Sequence, residues 1–293
     1  SQIGDEPYQM KQKFPALYVA VDKKRTRGID ILTSDERTKD VDVILLDDAY
    51  QHRYVKPGVN ILLVDYHRLI IYDKLWPAGC LREPQEGKSR ADIVIITKCP
   101  KDLRPMEYRV LMKALDLYPY QSLYFTTLVY DDLKPVYGKG SIALNSLPKA
   151  CNVLLLTGIA SPKQMQTDLA VYKFNLHQLA FPDHHNFSKK DVRTINNKFA
   201  ELPSPKIIIT TEKDASRIKF IEGFEQEVKD NMYALPVRIQ FMLEQEENFN
   251  NKIINYVRKN SRNSILVKTK DDNKSQNGNH SRNGAGPISF RNN

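Results

Sequence analysis

Short, almost continuous apolar runs alternate with polar segments along the first third of the chain, and this alternation constrains the fold most. The runs lie at residues 16–21, 41–46, 59–64 and 93–96. They lack the polar alternation of half-exposed strands and are typical of strands covered on both faces. The segments between them, such as 22–42 and 105–117, have the composition of helices. The sequence therefore predicts an α/β domain with a mainly parallel sheet and crossover helices.

A second α/β pattern follows residue 150. Residues 118–147 are aromatic and β-branched with interrupting Pro and Gly, which indicates a linker or β-hairpin. Beyond it the second pattern starts with the apolar segment at 152–160. We predict strands at 171–180 and 205–211 and helices at 161–170, 188–202 and 249–259. We thus predict two α/β domains with mainly parallel sheets (1–117 and 151–260), a β-hairpin-like linker (118–150) and a disordered basic tail (261–293).

Length, charge and cysteine content limit the class of protein. The 293 residues suffice for two domains, and a net charge of +9 with a pI near 9.2 favours an anionic partner such as a nucleotide, nucleic acid or lipid surface. Cys80, Cys99 and Cys151 form neither a CxxC metal motif nor a disulfide framework, which favours a reducing compartment. No run approaches the roughly 18 apolar residues of a membrane span, so we expect a soluble chain. The opening on Ser1 and a charged turn predicts a missing N-terminal portion.

Two adjacent acids, Asp47 and Asp48, follow the apolar run at 41–46 in the motif Asp47-Asp48-Ala49-Tyr50-Gln51-His52. Ligands of open α/β sheets collect outside the carboxyl ends of the strands, where phosphoryl-transfer enzymes place Mg²⁺-binding acids. The alternative is an acidic turn that closes a core strand. The motif alone leaves both interpretations open.

Two further motifs carry charges suited to phosphate chemistry. Gly4-Asp5-Glu6-Pro7 is predicted to form a turn. Its two acids either have a functional role or are solvated turn residues. The loop at 75–84 contains Arg82, whose planar guanidinium matches phosphate but which could instead form a structural pair with Glu83 or Asp73.

Two motifs of the second domain follow predicted strands. Phe181-Pro182-Asp183-His184-His185 precedes a helix; it lacks the further ligands of a specific zinc site, and proton transfer by His beside a carboxylate is the preferred interpretation. In Thr211-Glu212-Lys213-Asp214-Ala215, Lys213 is predicted either to contact phosphate or to pair with Asp214.

Six motifs together resemble, in their order, the tetraacyldisaccharide 4′-kinase family across residues 1 to about 258. They are the five just described, with the loop taken as Pro77-Ala78-Gly79-Cys80-Leu81-Arg82-Glu83-Pro84, and Thr157-Gly158-Ile159-Ala160-Ser161-Pro162. The resemblance implies two α/β domains with the active site in the cleft between them, residues 1–117 being the remainder of a phosphate-loop-type kinase domain. It also implies transfer of the γ-phosphoryl group of ATP to the 4′ hydroxyl of a tetraacylated, 1-phosphorylated glucosamine disaccharide. This step belongs to late lipid A assembly at the cytoplasmic face of the bacterial inner membrane.

The resemblance also implies roles, carried over by position. Asp5 is the candidate general base and His184 its support, while Glu6, Asp47 and Asp48 serve Mg²⁺; His52, Arg82 and Lys213 line the cleft. The implied cofactors are ATP and Mg²⁺. The implied partners are the lipid A disaccharide precursor and an anionic membrane surface, with no nucleic acid and no protein partner.

One departure from the family pattern concerns the phosphate loop. No GxxxxGK[ST] pattern occurs in these residues, and with it we expect the family's membrane-associated N-terminal helix to be absent. The sequence thus predicts a fragment that is inactive alone. Two rival functions are a helicase-like ATPase, which predicts an arginine-rich motif that the second domain lacks, and a non-catalytic basic protein that binds anionic lipid.

Overall fold

Two mainly parallel sheets with helices on both faces make up the fold. The computed structural model describes residues 4–159, 163–183 and 185–260, and of Asp5 the backbone alone. The α-helices are α1 (Asp5–Lys13), α2 (Arg25–Ser34), α3 (Pro105–Leu115), α4 (Lys163–Ala170), α5 (Lys189–Ala200), α6 (Glu212–Ile218), α7 (Gln226–Asp230) and α8 (Glu246–Asn260). The strands are β1 (Ile61–Asp65), β2 (Ile93–Thr97), β3 (Ser122–Tyr130), β4 (Lys134–Pro135), β5 (Asn152–Thr157), β6 (Asn175–Ala180), β7 (Lys206–Thr211), β8 (Met232–Leu235) and β9 (Val237–Phe241).

The first sheet has the order β1-β2-β3-β9, with β1 to β3 parallel and β9 antiparallel to β3. Alternate side chains of β2 face opposite layers. Val94 and Ile96 belong to a core that includes Leu111 and Leu115 of α3, whereas Ile93 and Ile95 face Phe249 and Ile253 of α8. The continuous apolar run at 93–96 is therefore covered on both faces, as predicted.

The second sheet has the order β4-β8-β7-β5-β6, in which only β4 runs antiparallel to its neighbour. Every residue of β5 is buried. Leu154 and Leu156 pack in the core that contains Phe199 of α5, and Val153 and Leu155 pack on the opposite face with Leu169 of α4. The predicted α/β fold with mainly parallel sheets is confirmed in both halves.

Two predicted strands are wrong: residues 16–21 and 41–46 form no strand. Their apolar side chains lie largely at the surface, and Leu45 is 80% exposed. A strand must pair its N–H and C=O groups with a neighbour. Within the part of the chain that the structure describes, β1 pairs with β2 alone and no strand lies on its other edge.

The chain passes between the two sheets twice. Residues 118–150, predicted as the linker, supply β3 to the first sheet and β4 to the second, so that the first crossing is short. The second crossing, near Pro236, returns the chain to the first sheet, where β9 pairs with β3 and α8 covers one face. The sequence places 237–260 in the second domain; long-range pairing, which no local pattern encodes, places these residues with the first sheet. The tail at 261–293 lies outside the described residues.

Ser188 and Asp191 form a capping box at the start of α5. The Ser188 hydroxyl lies 2.7 Å from Asp191 Oδ2, and the Ser188 backbone N–H donates to the same oxygen at 2.7 Å. Hydrogen bonding by Ser188 holds the pKa of the Asp191 carboxyl below its usual value. Part of the cap's stability is therefore present above about pH 4, the ordinary range of Asp, and is lost as pH falls through the lowered pKa.

We expect Ser188→Ala to lower the free energy of unfolding by about 1 kcal/mol at neutral pH, because it removes the cap. The difference in free energy of unfolding between wild type and variant should be smaller near pH 3. Urea unfolding at both pH values measures this difference. Thr194→Ala removes a hydroxyl that bonds only within the same helix, to the Lys190 carbonyl oxygen, and serves as the control. An equal loss for the two variants at neutral pH would contradict the capping role.

No helix among the described residues is long and apolar enough to cross a membrane. The three cysteines are free thiols: Cys80 is exposed, and Cys99 and Cys151 are buried. Burial raises the pKa of Cys99 to about 11, so this thiol is inert at neutral pH.

Candidate active site

Gly4, Asp5, Glu6 and Pro7 form the N-terminus of a helix. The sequence predicts a turn, but Gly4 is the residue before α1 and Asp5 to Pro7 are its first turn. Gly4 has φ of 92°, a value that favours glycine, and Pro is tolerated in a first helical turn. Acidic residues are favoured there because they face the positive end of the helix dipole. Glu6 is exposed.

Asp47 and Asp48 lie on a turn at the rim of a cavity of about 690 Å³. The cavity is lined by residues 46–51, 61–63 and 80–85 and by Ile70, Lys88 and Ile95. The two acids do not follow a strand, contrary to the prediction, but β1 still forms one wall of their cavity. Asp48 has φ of 46°, a left-handed conformation that Asp tolerates better than most residues. His52 follows the lining residue Gln51 and is exposed.

Arg82 faces Asp48 across this cavity. Its Nη1 atom lies 3.7 Å from Asp48 Oδ2, and both side chains are largely exposed. The alternative partners are occupied elsewhere, since Glu83 pairs with Arg90 at 2.7 Å and Asp73 with Arg68 at 2.9 Å. Arg82 therefore pairs with Asp48, and its side chain remains largely exposed beside the two acids.

Glu83, Arg90 and Tyr50 hold the walls of the cavity together, a role that sequence reasoning missed. The Arg90 guanidinium lies 4.6 Å from the centre of the Tyr50 ring and donates to the Tyr50 carbonyl oxygen at 3.2 Å. Tyr50 in turn donates its hydroxyl to the Gly87 carbonyl oxygen at 2.8 Å. These contacts fix the Asp47-Asp48 turn against the loop that carries Arg82.

Three motifs of the second domain meet at the carboxyl ends of β5, β6 and β7. The segment after β5 begins at Gly158, the segment after β6 contains Asp183, and α6 starts directly after β7. The Phe181 N–H donates to the Thr157 carbonyl oxygen at 2.7 Å, which holds the first two segments side by side. Strand order and direction thus assemble residues that lie more than 50 positions apart in the chain, as Gly158 and Asp214 do.

The neighbours of His184 are fixed in different ways; His184 itself lies outside the described residues. His185 Nε2 lies 3.0 Å from Asp191 Oδ2, and its ring stacks on Phe181 at 4.8 Å. Asp183 Oδ1 lies 3.6 Å from Lys213 Nζ. Lys213 therefore pairs with Asp183, and Asp214 instead approaches Arg217. His185 therefore has a structural partner in Asp191.

Helix α1, which begins with the N-terminal motif, packs against α6, which follows β7 of the second sheet. Asp47, Asp48 and Arg82 share one cavity, while α1 adjoins the helix that carries Lys213. Among the described side chains, which exclude those of Asp5 and His184, no three His, Cys, Asp or Glu residues form a metal-binding cluster.

Comparison with known proteins gives a consistent result. The family model described as tetraacyldisaccharide-1-P 4′-kinase matches residues 1–258. The chain belongs to this family of kinases. The tetraacyldisaccharide 4′-kinase of Phocaeicola vulgatus is 53% identical over 264 residues, which cover 89% of this chain and 72% of the relative. That of Bacteroides fragilis is 48% identical over 279 residues, covering 93% and 74%.

A solved structure supports the fold. LpxK from Aquifex aeolicus, an "apo" form crystallised in complex with ATP, matches with a TM-score of 0.59 and 22% identity over 87% of this chain and 69% of that one. Membership of the tetraacyldisaccharide 4′-kinase family confirms the enzyme class predicted from the six motifs. It gives no support to the helicase-like alternative.

Proposed function

We propose that this protein transfers the γ-phosphoryl group of ATP to the 4′ hydroxyl of tetraacyldisaccharide 1-phosphate, a step of lipid A biosynthesis. The observation that carries the proposal is the match to the kinase family over residues 1–258. The arrangement of the site supports it, because phosphoryl transfer depends mainly on positioning and charge neutralisation. Asp47 and Asp48 offer metal ligands, Arg82 offers positive charge for phosphate, and the acidic first turn of α1 offers a proton acceptor.

Asp5 is the proposed general base and His184 its support. A carboxylate within reach of the sugar hydroxyl can accept its proton as the bond to phosphorus forms. Asp5 begins α1, which packs on α6, and Lys213 of α6 pairs with Asp183, the neighbour of His184. The two proposed groups thus belong to segments that are linked through one helix.

Asp47, Asp48 and Glu6 are the proposed Mg²⁺ ligands. Carboxylate oxygens are hard ligands that suit Mg²⁺, and both aspartates are exposed at the cavity rim. Protein sites often supply Mg²⁺ with only one or two carboxylates, while waters and substrate phosphates complete the octahedron. Asp47 and Asp48 therefore fit this metal as a pair. Glu6 forms no three-acid cluster with them among the described side chains, and its role as a ligand is carried by the family resemblance alone. When bound, Mg²⁺ would neutralise charge on the phosphates of ATP.

Arg82, His52 and Lys213 are proposed to line the substrate cleft. Arg82 offers a planar set of N–H donors to a phosphate oxygen pair, and its place beside Asp48 would bring that phosphate next to the metal ligands. Lys213 is proposed to contribute positive charge at the second-domain side of the cleft, in addition to its pair with Asp183.

The proposed location is the cytoplasmic face of the bacterial inner membrane, where the acylated substrate resides. A net charge of +9 favours association with anionic lipid. Binding to lipid without turnover is the second candidate function, favoured by the same positive net charge.

Phosphorylation of tetraacyldisaccharide 1-phosphate by Mg-ATP tests the proposal directly. We expect the product to gain one phosphate by mass spectrometry when a glycine-rich phosphate loop of the family precedes Gly4. Residues 1–293 alone should give little product, because they contain no such loop to hold the β- and γ-phosphates. Lipid binding without phosphate transfer in the loop-bearing version would favour the non-catalytic alternative.

A further inference from the structure

The first turn of α6 joins three separate parts of the fold. Glu212 Oε2 accepts from the backbone N–H of Val237 at 3.4 Å, where the chain returns to the first sheet. Lys213 Nζ lies 3.6 Å from Asp183 Oδ1 in the segment after β6. Asp214 Oδ2 accepts from the backbone N–H of Gly158, after β5, at 2.8 Å. Three consecutive side chains thus fix three elements around a helix that also packs against α1.

Asp214 is the most deeply buried of the three side chains. Its side chain is 0% exposed, and Oδ2 also accepts from the Thr211 hydroxyl at 2.8 Å. The Thr211 hydroxyl accepts in turn from the Asp214 backbone N–H at 3.0 Å, so it caps α6. Oδ1 lies 3.6 Å from Nη1 of the nearly buried Arg217. A buried carboxylate is costly unless it is paired and hydrogen-bonded. Here Oδ2 is hydrogen-bonded, whereas Oδ1 has an ionic neighbour but accepts no hydrogen bond within the described part of the chain.

Gly158 is packed tightly against this carboxylate. A Cβ atom at position 158 would lie 3.0 Å from Asp214 Oδ1 and 3.5 Å from the Pro182 carbonyl oxygen. The absence of a side chain therefore lets the segments after β5, β6 and β7 touch at one point. A change at Asp214 or at Gly158 would shift these segments relative to one another.

We infer that Asp214 is a positioning residue for phosphoryl transfer. Its carboxylate holds α6 against the strand ends, and α6 in turn supports α1, which begins with Asp5, and the segment that leads to His184. Being buried, Asp214 acts through these elements and does not touch substrate. The inference rests on the proposed function, because it assumes that Asp5 and the 184 region meet a common substrate.

Asp214→Asn, made in the protein that carries the phosphate loop ahead of Gly4, is the decisive variant. The amide keeps the size of the side chain, and its oxygen can still accept from Gly158 and Thr211. Its NH₂ group then faces the Arg217 guanidinium, which cannot accept a hydrogen bond. We expect kcat to fall by roughly 10-fold or more, since small displacements of reacting groups are costly, while KM for Mg-ATP changes less than about 2-fold. The control is Asp168→Asn, whose carboxylate bonds Tyr130 and Gln164 instead.

Gly158→Ala perturbs the same contact from the other side and should reproduce the kcat effect. A second readout is the double variant. With Asp5→Asn already present, Asp214→Asn should lower kcat little further, because the proton-accepting group that Asp214 positions is already lost. Multiplicative losses, or a wild-type kcat in folded Asp214→Asn and Gly158→Ala, would overturn the inference.

Hydrogen exchange separates this inference from the proposed function. Asp214→Asn should speed amide exchange in peptides spanning 4–13 and 175–183 but not in β2, whatever reaction the protein catalyses. Unchanged exchange in those peptides would reject the positioning role. If the loop-bearing wild-type protein is inactive but Asp214→Asn still shows the exchange effect, the result would contradict the kinase assignment and retain Asp214 as the support of α1.

Discussion

Asp5→Asn, made in the protein that carries the family's phosphate loop ahead of Gly4, should reduce single-turnover phosphoryl transfer by roughly 10²-fold or more at saturating Mg-ATP. The amide keeps the shape of the side chain but cannot accept the proton of the sugar hydroxyl. ATP affinity should change little. Asp30→Asn removes an exposed carboxylate from α2 and is the matched control. A near wild-type rate for Asp5→Asn would remove Asp5 from the mechanism.

The two adjacent histidines provide an internal comparison for the same mechanism. His184→Ala should cost less than Asp5→Asn if His184 only assists, and the double variant should be little slower than Asp5→Asn alone. His185→Ala should instead act on stability, since His185 is held by Asp191 and Phe181. A greater loss of turnover in His185→Ala than in His184→Ala, with both variants folded, would reverse the two assignments.

Asp47→Ala and Asp48→Ala should raise the Mg²⁺ concentration needed for half-maximal turnover, and the double variant should lose most activity at any Mg²⁺ concentration. The reason is that two adjacent carboxylates are the proposed protein ligands of the metal. Turnover measured across a Mg²⁺ titration tests this. Asp42→Ala removes an exposed carboxylate from the same segment outside the cavity lining and should leave the Mg²⁺ dependence unchanged.

Asp48 also pairs with Arg82, so Asp48→Ala should have a second measurable effect, on ATP binding without Mg²⁺. Releasing Arg82 from Asp48 should leave the guanidinium free for phosphate, and ATP affinity measured without Mg²⁺ should not fall. A loss of metal-free ATP binding in Asp48→Ala would show that the carboxylate orients Arg82 instead of serving the metal.

Sequence alone determined the α/β class and the kinase family. Apolar runs such as 93–96 and 152–157 form strands buried on both faces because they carry no polar position that must reach solvent. The six ordered motifs identify the kinase family because several independent short matches in one order are far more specific than any one of them. The same local patterns also mispredict 16–21 and 41–46, where apolar composition is present but a pairing partner is not among the described residues.

Only the tertiary structure decided which charges pair and which elements share a layer. Arg82 pairs with Asp48 and Lys213 with Asp183, although closer neighbours in sequence were available to both. The return of β9 and α8 to the first sheet and the burial of Asp214 against Gly158 depend on contacts between residues far apart in the chain. Such contacts follow from strand order and packing, and a local pattern of residue types does not specify them.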